Sequence, residues 1–259
     1  MIKFSPKITI ITVVFNAVQE IEATLKSVFE QNYINKEVVV IDGGSTDGTL
    51  EIISKFEHKI DYFTTGQDSG IYDAMNKGIK LASGEWISFM NAGDMFNSNE
   101  ILKNIFYQKT LDSDVLFGDV VVDYKTFTKR VKSKKTSLLT YGMTFCHQSV
   151  FVKTRIYREK YFELRFKVSA DFNFFFWCFT TGKKFERYDF PFSKISVGGL
   201  SDKMRMKVLT ENRQIVRKHC KSNIKVELIY FYKVLLTIFK SFIKKRLSAS
   251  FVLLILKYT

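Results

Sequence analysis

Four apolar runs of strand length, each separated from the next by a segment of helical period, constrain this 259-residue chain more than any other feature. KITIITVV (7–14) is followed by a helical pattern at about 19–31. EVVVID (37–42) leads into TDGTLEIISKF, where Thr46 or Asp47 can cap the new helix. The short IDYFTT precedes the helical GIYDAMNKGIKLAS, and EWISFM (85–90) comes next. Strands that are apolar throughout are covered on both faces, which a parallel sheet between helix layers achieves. The expectation is a doubly wound α/β fold with a mostly parallel sheet, a fold that binds ligands beyond the carboxyl ends of its strands.

Polar, acidic and glycine-rich residues follow each of these strands. They are Phe15-Asn16, then DGGSTD (42–47), then Gly66-Gln67-Asp68, then Asn91-Ala92-Gly93-Asp94. All fall on one edge of the sheet, which marks that edge as a ligand site. Asp42 at its strand end can accept a hydrogen bond from a base or ribose while the glycines let backbone approach the ligand. The same residues also make an ordinary tight strand–helix turn. Their glycines lack the spacing of a dinucleotide fingerprint or a phosphate loop, so NAD and ATP bound in those ways are disfavoured. Asp94, inside FMNAGDMF (89–96), is either a ligand or the cap of a following helix.

Beyond Asp94, LFGDVVVDY (116–124) and QSVFVK (148–153) read as strands, with the basic KRVKSKK between them in a loop. SADFNFFFWCFTTG (169–182) reads as a helix opened by Ser169 or Asp171 and stopped by Gly182, and residues 202–221 as a polar helix. Cys146, Cys178 and Cys220 are widely spaced and odd in number, which suits a reducing compartment and argues against a disulfide framework or a zinc site. The short, β-branched N-terminal run is expected to be the first core strand rather than a signal peptide.

The net charge of +14 is not spread evenly. Residues 203–259 hold fourteen Lys or Arg against Glu211 and Glu227, so +12 of the excess lies there. The preceding domain is nearly balanced and has no basic–aromatic surface of the kind that stacks bases, so no nucleic-acid partner is expected.

Three stretches in order, ITVVFNA, VVIDGGSTDGT and QDSGIYDAMNKGIKLASGEWISFMNAGD, resemble the family 2 glycosyltransferases of GT-A fold, in particular the bacterial enzymes that build surface polysaccharides. The likeness is dense over residues 6–96 and looser over 145–201. It implies a GT-A, Rossmann-like sheet flanked by helices, a nucleotide-sugar donor (a UDP-sugar by default), Mn2+ or Mg2+, and inversion at the anomeric carbon. It also implies a lipid-linked or oligosaccharide acceptor.

By position, the resemblance puts Phe15, Asn16, Asp42 and Asp68 at the nucleoside, with Asp73 and Asn76 on the adjoining helix face. Asn91 and Asp94 occupy the acidic metal motif. The first of its two usual carboxylates is replaced here, leaving Asp94 as the only anionic ligand. The base is expected at Asp171, where the usual Glu-Asp is Ala170-Asp171; a helix N-cap is the plainer reading. His147 and Gln148 would face the donor sugar or acceptor, although a lone histidine is more often structural. SVGGLSDK (196–203) resembles a segment that closes over the diphosphate, with Gly198 and Gly199 as hinges and Lys203 or Arg205 near phosphate.

The chain is expected to divide into a transferase domain, 1–205, and a basic helical extension, 206–259. Within 226–256 no charge-free run reaches eighteen residues, so an interfacial helix on an anionic membrane surface is expected rather than a spanning one. A helix pair packed on the domain, or on a second subunit as a homo-oligomer, is the alternative. The resulting expectation is a cytoplasmic enzyme, peripheral on the inner face of the cell membrane. A non-catalytic nucleotide-sugar-binding or scaffold protein is the other reading that the reduced acidic motif allows.

Overall fold

The computed structural model describes residues 5–219 and 224–246, so Cys220, Lys257 and the rest of the tail lie outside the described residues. The elements run β1 (Ile8–Val14), α1 (Ile21–Phe29), β2 (Lys36–Asp42), α2 (Thr49–Ser54), β3 (Tyr62–Thr65), α3 (Ile71–Leu81), β4 (Trp86–Phe89), β5 (Asp94–Phe96) and α4 (Ile101–Phe106). They continue with β6 (Val115–Asp123), β7 (Thr128–Val131), β8 (Val150–Lys153), α5 (Thr154–Glu159), α6 (Ala170–Thr180), β9 (Phe185–Ser196), α7 (Leu200–Lys203), α8 (Arg205–His219) and α9 (Ile224–Arg246).

One sheet carries the fold, in the order β3-β2-β1-β4-β8-β6-β9-β5, with β7 attached to β6. The four strands β3, β2, β1 and β4 are parallel; β1, β2 and β4 are buried as their apolar sequences require, whereas β3 (YFTT) is an exposed edge strand and not a run covered on both faces. Beyond β4 the sheet is mixed: β8 is antiparallel to both β4 and β6, β6 is parallel to β9, and β5 is antiparallel to β9. Side chains alternate between two apolar layers, as a strand's period of two dictates. Ile11, Val13, Val39, Ile41, Ile87 and Phe89 face Met75 and Ile79 of α3 and the phenylalanines of α6. Ile8, Ile10, Val14, Val38, Val40 and Trp86 face Leu25 of α1 and Leu102 and Phe106 of α4.

Two sequence expectations need correction. The basic stretch after β6 is not all loop, because Thr128–Val131 pairs with β6 as a hairpin. The reason is Asp119, a fully buried carboxylate on β6 that needs counter-charge: Arg130 Nε donates to it at 2.7 Å, and the Ser133 N–H and hydroxyl do so at 2.8 and 3.0 Å. Second, the polar helix over 202–221 is two helices, α7 and α8. The helices after residue 205 pack on the preceding domain. Ile215 and Val216 of α8, and Val226 and Tyr230 of α9, belong to the main core. The buried Glu211 carboxylate also accepts the backbone N–H groups of Lys167 and Val168, each at 3.1 Å.

Gly84, just before β4, shows how closely the parallel strands are built. A Cβ there would lie 2.7 Å from Thr9 N and 2.8 Å from Lys7 O, backbone atoms that cannot swing aside. Gly84→Ala is expected to destabilise the fold by roughly 1–3 kcal/mol, seen as a lower urea midpoint at unchanged slope. An unshifted midpoint would show that this junction yields freely.

Candidate active site

The ends of β1, β2 and β3 bring four of the expected nucleoside residues together. Asp42 Oδ2 accepts from Gly44 N at 2.9 Å, Ser45 N at 3.0 Å and Thr65 Oγ1 at 2.6 Å, which folds the DGGS turn onto the strand end. Burial works to raise its pKa, but these hydrogen bonds outweigh it and hold the carboxyl below its usual range. Its other oxygen is buried without a partner. Asn16, with φ at 46°, accepts Thr46 N at 2.9 Å, and its own N–H donates to Ser45 Oγ at 2.8 Å. The N-cap of α2 is Gly48, with no side-chain cap bond, so neither Thr46 nor Asp47 caps it; Asp47 Oδ1 accepts the Thr49 N–H at 3.0 Å just ahead of the helix.

Asp68 lies over Gly43. A Cβ on Gly43 would come within 2.7 Å of Asp68 Oδ2 and 3.4 Å of the Phe15 ring, so glycine at 43 is what lets the three residues converge. The Phe15 ring is 62% exposed, an apolar face open to a planar ligand. Asp73 and Asn76 lie on α3 and have protein partners of their own. Asp73 accepts Ser69 N at 3.1 Å and pairs with Lys77 at 3.5 Å. The Asn76 amide clasps the backbone of Phe162, donating to its carbonyl at 2.9 Å and accepting its N–H at 3.0 Å. Both amide groups of Asn76 are thereby engaged in structure.

The second half of the site is organised by one tight turn, His147–Ser149, whose consecutive side chains reach three places. His147 Nδ1 lies 3.3 Å from Asp171 Oδ2. Gln148 Nε2 donates to Asp94 Oδ2 at 2.8 Å. Ser149 Oγ donates to the Asp119 carbonyl at 2.8 Å, which anchors the turn to β6. A thiol fixes which way the Gln148 amide faces: Cys146 Sγ donates to Gln148 Oε1 at 2.8 Å, and burial pushes that thiol up to about 12, so it stays a donor.

Asp171 sits in the first turn of α6, yet its carboxylate reaches across the site. Tyr72 on α3 donates its hydroxyl to Asp171 Oδ1 at 2.8 Å. Burial favours the neutral acid, but His147 and Tyr72 outweigh it and keep Asp171 below the usual carboxylate range. Burial likewise disfavours charged His147, and there Asp171 and Asp94 prevail and raise its pKa. The far ring nitrogen of His147 is 3.5 Å from Asn91 Nδ2, and Asn91 Oδ1 is buried without a partner.

Asp94 is the first residue of β5, paired with Ile195 of β9, and not a helix cap. Burial pushes its carboxyl up to about 6, against the opposing effects of His147 and Gln148. Among the described residues no lysine or arginine pairs with it, and no group of three His, Cys, Asp or Glu surrounds it. In the segment expected to close over the diphosphate, Gly198 N–H is tied to Asp202 at 3.1 Å and α7 follows. Arg205 lies near enough to Lys233 on α9 to lower that lysine's pKa, which burial lowers most.

Sequence reasoning did not single out Tyr72 or Cys146. Tyr72 shares the buried face of α3 with Met75 and Ile79, so a hydroxyl on an otherwise apolar helix face was the available signal.

Residues 9–180 match the family described as Glycosyl transferase family 2. The chain belongs to that family. A PGL/p-HBAD biosynthesis glycosyltransferase of Mycobacterium bovis (strain BCG / Pasteur 1173P2) is 32% identical over 192 residues, covering 71% of this chain and 74% of that protein. Among solved structures, Staphylococcus aureus TarS 1–349 in complex with UDP aligns over 86% of this chain and 69% of its own, with a TM-score of 0.66 at 21% identity. The mannosyltransferase PcManGT from Pyrobaculum calidifontis, in complex with GDP-Man and Mn2+, aligns over 89% of this chain and 69% of its own, with a TM-score of 0.65 at 18% identity. The shared architecture is the GT-A fold of family 2 enzymes.

Proposed function

We propose that this family 2 protein is an inverting glycosyltransferase that moves a sugar from a nucleotide-sugar donor to a lipid-linked or oligosaccharide acceptor in surface-polysaccharide biosynthesis. The observation that carries the reading is the turn at His147–Ser149, which connects to Asp94 through Gln148 and to Asp171 through His147. Leaving-group and acceptor chemistry need one group each, held at fixed relative positions. Phe15, Asn16, Asp42 and Asp68 would hold the nucleoside at the neighbouring strand ends. A UDP-sugar is the favoured donor, supported by the UDP carried by TarS, while the GDP-Man of PcManGT makes guanine the alternative to test.

Asp94 fits a divalent cation. It is a half-buried carboxylate with no lysine or arginine paired to it among the described residues, at a carboxyl pKa that leaves it ionised at neutral pH. A single protein carboxylate suits Mn2+ or Mg2+ whose remaining ligands are diphosphate oxygens and water. Bound there, such an ion would neutralise charge on the departing nucleoside diphosphate.

The chain's own residues supply the rest. Asp171 takes the proton of the acceptor hydroxyl as that oxygen attacks the anomeric carbon, and the bond to the diphosphate breaks on the opposite face. One direct displacement inverts the configuration. Tyr72 and His147 fix the orientation of the Asp171 carboxylate through its two oxygens. The enzyme would work in the cytoplasm on the inner face of the cell membrane, where the lipid-linked acceptor is presented.

A panel of nucleotide sugars, incubated with the purified protein and Mn2+ and followed by release of nucleoside diphosphate, tests the reading. A UDP-sugar is expected to turn over fastest. Turnover of none of them would favour a binding protein without catalysis.

A further inference from the structure

We propose that the outward face of α9 is a docking surface for an anionic phospholipid bilayer, on which the helix lies flat. The inference deepens the inner-face reading above and uses none of its catalytic residues, so the two fail separately.

Ile224, Leu228, Phe231, Leu235, Ile238 and Phe242 recur at alternating spacings of four and three, and each is about half exposed or more. Tyr232 and Phe239 flank this stripe and are 59% exposed each. At 3.6 residues per turn, these eight side chains fill an arc of about 120° and a length of about 27 Å. Every charged residue between Ile224 and Phe242 falls outside that arc.

The opposite face of α9 is the one bolted to the protein. Val226 and Tyr230 are buried in the core, and Lys233 donates to the Tyr141 carbonyl. Glu227 accepts from Arg213 at 2.7 Å and Arg217 at 2.5 Å. The exposed stripe is therefore not an inner face seen from the wrong side.

Charge and arc width choose the occupant. The sequence of α9 holds five lysines and one arginine against Glu227 alone, and Glu227 is already paired within the chain. A second copy would bring the same basic helix, whose one acid, Glu227, is already paired with Arg213 and Arg217. A two-helix seam is also narrower than this arc, so Tyr232 and Phe239 would stay wet. An anionic bilayer covers the whole arc and attracts the net basic helix, with Lys225 at the edge of the arc beside the headgroups and Lys233 left facing the protein. The sequence after Arg246, LSASFVLLILKYT, continues with apolar residues and one lysine and no acid. No described helix is long and apolar enough to cross a membrane.

The experiment is flotation of the full-length protein with vesicles of phosphatidylcholine alone and of phosphatidylcholine with 30% phosphatidylglycerol, at low and high salt. Wild type is expected to float with the anionic vesicles, less at high salt but still detectably, because the apolar contact is not screened. Leu235→Glu with Ile238→Glu, both at exposed positions, should lower the bound fraction about tenfold or more while UDP binding is kept. Wild type that stays in the bottom fraction at low salt overturns the proposal without recourse to any variant. So does a double variant that floats as wild type does. A salt-resistant wild-type dimer in sedimentation, lost in the double variant, would assign the face to a second copy instead. Failed sugar transfer with intact flotation would count against the active-site reading alone.

Discussion

Asp171→Asn is expected to fold, to bind nucleotide as the wild type does, and to transfer sugar about 10²–10⁴ times more slowly, the usual contribution of a positioned base. The reason lies in what surrounds the carboxylate. Each oxygen of Asp171 already receives one donor, Tyr72 on one side and His147 on the other, so its orientation is fixed before any acceptor arrives. Asparagine has nearly the same shape but one acceptor oxygen, so one of the two donors loses its partner and no group remains to take the proton. A second readout separates chemistry from structure. Asp171 is a cause of the raised His147 pKa, so the histidine should titrate at lower pH in the variant, as seen by NMR. Full transfer activity with a shifted His147 would remove Asp171 from the chemistry and leave it a structural partner of the imidazole.

Asp94→Ala is expected to abolish metal-dependent binding of the nucleotide, lowering UDP affinity in Mn2+ by about 100-fold or more, beyond the effect usual for partners one step removed from a metal. No other carboxylate is at hand to replace it, since the preceding position of the motif is Asn91 and no acidic cluster surrounds it among the described residues. Affinity in EDTA should be the same in both proteins. The pH dependence follows from burial. Asp94 has a carboxyl pKa raised to about 6, so its proton-bound fraction grows as pH falls through that value, and proton and metal compete for the same oxygens. Metal-dependent affinity should be level above about pH 7 and fall below pH 6 in the wild type. Calorimetry at several pH values checks both points, and equal affinity in the variant would move the metal elsewhere.

In the parallel half of the sheet β1, β2 and β4 were legible because they are predominantly apolar, which burial on both faces accounts for, while β3 is short and exposed at the edge. The long strand β9 was not legible. Glu186, Arg187, Asp189 and Pro191 break any apolar period in FERYDFPFSKIS, and the register with β6 slips at Pro191, where a proline in a sheet is tolerated. Its charges have partners remote in sequence: Arg187 pairs with Asp119 and Lys194 with Asp123, both on β6. The same holds for β7, whose Arg130 reads as a solvated loop residue until the Asp119 carboxylate is seen beneath it.

The candidate site divides in the same manner. Asp94, His147 and Asp171 stand at positions that the family resemblance singled out, and the fold joins them through one turn. Asn76 was placed on the correct helix, but the group that claims its amide is the backbone of Phe162, 86 residues away. Local pattern carries no trace of such a partner. In α8 the polar sequence hides a buried face, because Ile215 and Val216 are too few to set a period among their charged neighbours.

In the proposed reaction the acceptor hydroxyl displaces the nucleoside diphosphate directly. The anomeric configuration of the first product, read from the sugar's proton coupling by NMR after reaction of an α-linked donor that turns over, tests it most directly. A β-linked product is expected. An α-linked product would require a second displacement and a nucleophile that this account does not contain.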